Sequence, residues 1–126
     1  MKFKLNDPPR VFEARKDAGI WIKGCGRINL KPNEQVTFTT EKGAEYDVAR
    51  KEWGYYATPS LDGRLRRFGL RAVLVKSSGE EKFYLFLVEK GRERKFREYL
   101  RSEGHRIICW MDSNRRLKKM ERMLKR

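Results

Sequence analysis

Leu70-Arg71-Ala72-Val73-Leu74-Val75-Lys76, then Ser77-Ser78-Gly79-Glu80, then Phe83-Tyr84-Leu85-Phe86-Leu87-Val88: this stretch decides the fold. The first run is apolar and β-branched almost throughout, the pattern of a strand covered on both faces. Ser77 to Glu80 supply turn residues, and the second apolar run returns antiparallel. If the returning strand is central, Leu85 is a core residue whose truncation costs about 2–5 kcal/mol.

Beyond the hairpin the period changes. Over Arg92–Glu103 the apolar residues Phe96, Tyr99 and Leu100 stand at i, i+3 and i+4, the stripe of a helix with one buried face. Gly104 is a natural stop for it. His105–Met111, with Ile107, Ile108 and Trp110, reads as the last strand. Asp112 or Ser113 can cap a final helix running through Arg126.

Before the hairpin, turn signals recur at short intervals. Asp7-Pro8-Pro9 reads as an extended or turning segment ahead of a strand that starts at Val11 and Phe12. Arg15-Lys16-Asp17 and Gly19 close that strand, and Ile20-Trp21-Ile22 open the next. Gly24-Cys25-Gly26 marks a bend or bulge. Ile28 and Leu30, Val36 and Phe38, and Tyr46 and Val48 alternate with polar neighbours at period two. Trp53-Gly54-Tyr55-Tyr56 begins as aromatic strand and runs into a loop, and Arg64–Gly69 is a short helical turn or more loop. The expected class is therefore α+β. A mostly antiparallel, strand-rich N-terminal half precedes strand–strand–helix–strand and a basic C-terminal helix. Residues 1–111 are expected to form a single domain, with 112–126 as the helix or tail.

The 126 residues carry 31 Lys and Arg against 17 Asp and Glu, a formal net charge of +14. The excess is uneven. Residues 1–62 hold 11 basic and 9 acidic residues, and residues 63–126 hold 20 and 8. Such an asymmetry concentrates positive potential and points to polyanions: nucleic acid, an acidic protein surface or anionic headgroups. A dense charged surface of a heat-adapted protein is the alternative, although heat adaptation favours matched pairs. No apolar run approaches the ~20 residues of a membrane span. The opening Met1–Pro8 lacks the apolar stretch of a secretory signal. Two cysteines make no disulfide framework, so a cytoplasmic setting is expected.

Catalytic patterns are few. His105 is the single histidine. Cys109 lies four residues on in the same strand, roughly 13 Å away, too far for a nucleophilic dyad. Three Cys and His residues in the whole chain do not make a zinc set, and no phosphate-binding glycine loop or dinucleotide fingerprint is present. No cofactor and no metal are expected, and an enzymatic role is not the favoured reading.

Three basic clusters remain. Arg64, Arg66, Arg67 and Arg71 follow the aromatic Trp53, Tyr55 and Tyr56. Guanidinium forks match phosphate oxygens, and exposed rings stack on bases, so Tyr55 and Tyr56 are candidate platforms. The competing reading buries those rings in the core. Lys90, Arg92, Arg94, Lys95, Arg97 and Arg101 form a charged helix face, supported by Glu93 and Glu98 and read as solvated. In the tail, Arg115, Arg116, Lys118, Lys119 and Arg122 flank a narrow seam of Leu117, Met120 and Leu124.

The expected function is non-catalytic nucleic-acid binding, RNA before DNA, in or near a ribonucleoprotein. Two alternatives stand beside it. One is a small adaptor whose basic C-terminal helix docks on an acidic protein surface. The other is a ligand-binding or enzymatic domain using Trp53–Arg67, with Thr58-Pro59-Ser60 and Asp62-Gly63 lining a pocket and Arg64 holding an anion.

Overall fold

The computed structural model describes residues 1–15, 19–57 and 59–125, together with all side chains of these except that of Arg15. Lys16 and Asp17 of the expected strand end, Thr58 of the expected pocket and Arg126 of the tail lie outside the described residues. The chain forms two compact units, Met1–Gln35 with Ala49–Tyr55 and Val36–Val48 with Tyr56–Arg126. The class is α+β, with antiparallel sheets and a C-terminal helix.

The first unit is built on a long hairpin of β1 (Lys2–Arg15) and β2 (Ile20–Asn29). Here the structure corrects the sequence reading. β1 does not begin at Val11 but runs through Asp7-Pro8-Pro9. The ladder allows this because its register shifts between Leu5 and Arg10, so residues 6–9 stand opposite Cys25 alone. Pro8 and Pro9 therefore sit in a bulge, where no ladder N–H is required of them. Gly26 lies beside the same shift, and a Cβ there would overlap the Lys4 carbonyl oxygen. After the hairpin, the Glu34 carboxylate accepts from the Lys31 N–H at 2.7 Å and pairs with the Met1 ammonium at 3.0 Å. These contacts hold its pKa below the usual carboxylate value, the Lys31 N–H contributing most.

The strands β3 (Gln35–Thr39), β4 (Glu45–Lys51) and β5 (Gly54–Tyr56) form a three-stranded sheet in that order. Next comes α1 (Arg64–Arg67), a single turn. The Ser60 hydroxyl accepts from the Arg64 N–H at 2.7 Å and tethers the start of that turn.

The second unit's main sheet contains the hairpin of β6 (Leu70–Ser77) and β7 (Phe83–Glu89). After α2 (Glu93–Glu103) it is completed by β8 (His105–Trp110), in the order β7-β6-β8 with both pairings antiparallel. β6 is central and is covered on both faces. Val73 and Val75 pack with Val88 and with Leu100 of α2, flanked by Phe86, Phe96, Ile107 and Trp110. Leu70 and Ala72 pack with Leu65 of α1 and with Ala44. Gly104 ends α2 at φ 70°, a left-handed conformation that glycine adopts without a Cβ clash.

The returning strand is at the edge of this sheet, which corrects the expectation for Leu85. It pairs with Leu74 on the face away from α2 and is 51% exposed. The last element, α3 (Asn114–Leu124), is capped by Ser113, whose hydroxyl accepts from the Arg116 N–H at 3.4 Å. Among the described residues, no helix is long and apolar enough to cross a membrane.

Candidate nucleic-acid interface

The four arginines of the first basic cluster divide into two held by carboxylates and two lining a cleft. Arg71 points from β6 into the protein. Its Nε donates to Asp112 Oδ2 at 2.6 Å, its Nη1 donates to Glu93 Oε2 at 3.1 Å, and its guanidinium lies 4.0 Å from the centre of the Trp110 ring. The Asp112 side chain is 5% exposed. Burial pushes the Asp112 carboxyl up, but the hydrogen bonds and charge of Arg71 prevail and hold it below its ordinary value. Asp112 in turn raises Arg71 further, so this guanidinium stays charged and committed.

Arg64 is also engaged. Its Nε and Nη2 donate to Asp47 Oδ2 at 3.1 and 3.0 Å, and its guanidinium lies over the Phe68 ring. Asp47 titrates below its ordinary range because the Thr37 hydroxyl donates to it and Arg64 sits beside it. Of the expected pocket, Ser60 thus tethers α1 and Arg64 pairs with Asp47.

Arg66 and Arg67 have no carboxylate partner among the described residues. Arg66 donates only to the Asp112 carbonyl, at 3.4 Å. The two arginines line a cleft of about 400 Å³ together with Asp62, Gly63 and Lys90. A neighbouring cleft of about 240 Å³ shares Arg67 and Lys90 and adds Lys42 and Glu89. Lys90 escaped the sequence reading, which placed it only at the head of a solvated helix. It reaches this site because β7 returns beside β6, where the Lys90 N–H donates to the Gly69 carbonyl at 2.8 Å. That is a product of strand pairing, with no local signature.

Asp62 links the cleft to the C-terminal helix. The Asn114 amide donates to Asp62 Oδ2 at 2.8 Å. That hydrogen bond, the Asp62 backbone N–H and the charge of Lys118 together lower the Asp62 pKa. Two clusters separated by some fifty residues of chain thus meet at one carboxylate. Along α3, Arg115, Lys118, Lys119 and Arg122 follow at i, i+3, i+4 and i+7, one stripe of a helix. All four are exposed, without ion pairs among the described residues, and Arg116 stands on the flank. Leu117 and Met120 on the opposite side are half-buried.

The candidate platforms are exposed rather than buried, Tyr55 at 57% and Tyr56 at 49%. Tyr55 belongs to the first unit, where the Arg50 guanidinium lies 6.0 Å from its ring centre. Tyr56 belongs to the second unit with the arginines. Trp53, in the first unit, is 74% exposed.

His105 stacks on Tyr84 with ring centres 5.6 Å apart, Cys25 is exposed and Cys109 half-buried. Among the described residues, no three His, Cys, Asp or Glu side chains gather as a metal set. No protein-family model matches the chain, and neither a curated protein nor a solved structure matches it.

Proposed function

We propose that the second unit binds a polyanion without catalysing a reaction, and that the polyanion is nucleic acid, RNA before DNA. One observation carries the reading. Arg66, Arg67 and Lys90 surround a cleft whose carboxylate, Asp62, holds the start of the cationic helix α3. Cations that form no ion pair have donors open to phosphates, and guanidinium forks bind phosphate oxygens bidentately. The α3 stripe from Arg115 to Arg122 spans about 10 Å at 1.5 Å per residue, enough to meet successive phosphates. Exposed Tyr56 in the same unit supports the preference for RNA, because unpaired bases stack on aromatic side chains.

Arg71 and Arg64 are left out of this interface, because both guanidinium groups are held by carboxylates. Binding to a mixed-sequence single-stranded RNA over a salt series tests the reading. Log affinity is expected to fall linearly with log salt, by about 0.7 for each phosphate contact. A flat series, or no binding at low salt, overturns it.

A further inference from the structure

The first unit poses a separate question, independent of the nucleic-acid reading. Directly paired residues of an antiparallel ladder share a face, and alternate residues along a strand do too. On β2, Ile20, Ile22, Gly24, Gly26 and Ile28 therefore share one face. Their partners on β1 include Phe3, Leu5, Arg10 and Phe12. Phe3 and Leu5 stand at odd positions and Phe12 at an even one, so an unbroken strand would send them to opposite faces. The bulge at residues 6–9 reverses the alternation and brings them together. The outcome is one face bearing Phe3, Leu5, Phe12, Ile20, Ile22 and Ile28, each between 37% and 64% exposed. The opposite face carries Lys2, Lys4, Lys23 and Arg27 together with Glu13, Val11 and Trp21.

An isolated two-stranded hairpin is marginal in water and needs a further layer. We infer that a second copy of this chain covers the apolar face, two hairpins stacking face to face about a two-fold axis.

Three features select that occupant. Among the described side chains of this face the charged one is Arg10, whose guanidinium lies 5.2 Å from the centre of the Phe12 ring, and the register places Arg15 opposite Ile20 at the turn end. Lys2, Lys4, Lys23 and Arg27 point away from the seam, so an acidic partner would choose the opposite face. The six side chains offer on the order of 500 Å² per copy at these exposures, given the surface of large apolar side chains. Two copies then bury about 1,000 Å², the size at which specific interfaces begin. Sheets stacked in this way lie about 10 Å apart, and a self-complementary patch closes as a dimer rather than a chain of copies.

Sedimentation of the full chain over a dilution series tests the inference. The expected mass is twice the 15.1 kDa of one chain. Leu5→Glu with Ile22→Glu is expected to halve it, and Val11→Glu with Trp21→Glu, on the opposite face, to leave it unchanged. Slow hydrogen exchange at Val73 and Val75 checks in each variant that the second unit is folded. A wild-type chain that sediments at 15.1 kDa throughout overturns the inference. If its hairpin amides are protected all the same, the face is covered within one chain. A dimer that survives Leu5→Glu with Ile22→Glu overturns it equally.

Discussion

Asp112 and Arg71 determine what each other can do. The carboxylate is almost fully buried, and the guanidinium that neutralises it is also held by Glu93 and stacked on Trp110. A charge left alone in such a place costs more than a lost surface pair. Asp112→Asn is therefore expected to destabilise the second unit by about 2–4 kcal/mol in urea unfolding. Asp112 and Glu93 both titrate below their ordinary values when folded, Glu93 chiefly because a backbone N–H donates to it. The unfolded chain then takes up protons first as acid is added. The stabilisation is complete above about pH 4.5 and is lost as pH falls through the lower folded values. The urea midpoint should drop along that acid limb, and Asp112→Asn should flatten it; an unchanged limb would show that the pair contributes nothing. From sequence, Arg71 looked like its neighbours Arg66 and Arg67, and Asp112 like a helix cap. Their pairing spans 41 residues, so no local pattern could announce it. Ser113 was legible as a cap because its hydrogen bond reaches only three residues ahead.

At the scale of elements, local periodicity located the strands and helices of residues 70–124 but not their neighbours. The 70–88 hairpin, the helix ending at Gly104 and the capped final helix all rest on short-range signals, and all are present. The sheet order was not legible, because β8 joins β6 only after the chain has passed through α2. Leu85 shows the consequence. Its strand was recognised, but a strand with one neighbour leaves half its side chain in water. Leu100→Ala, which empties a site 4% exposed beneath α2, is expected to cost about 2–5 kcal/mol. Leu85→Ala is expected to cost less than about 1 kcal/mol, since little of its surface is withdrawn from water. Comparable losses in thermal unfolding of the two variants would contradict the edge position of β7. The β1–β2 hairpin was misread for a related reason. Proline punctuates a paired strand, but in a bulge it interrupts nothing.

For the whole molecule, the net charge of +14 raises the expectation of a polyanion without saying which cations would meet it. The structure sorts them. Arg64 and Arg71 are spent on Asp47, Asp112 and Glu93, while Arg66, Arg67, Lys90 and the α3 stripe make no ion pair among the described residues, although the charges of Lys118 and Arg66 reach Asp62 and Asp112. The central claim is that this particular group, rather than the overall charge, holds nucleic acid. The most direct test compares two variants with the same change in net charge, Arg66→Glu with Arg67→Glu and Lys95→Glu with Arg97→Glu on α2, in single-stranded RNA binding across a salt series. The first pair is expected to weaken binding at least about tenfold and to lower the salt slope by about 1.4, two phosphate contacts' worth, with its melting temperature little changed. The second is expected to leave the slope nearly intact. Equal losses from both pairs, or none from the first, would contradict the account.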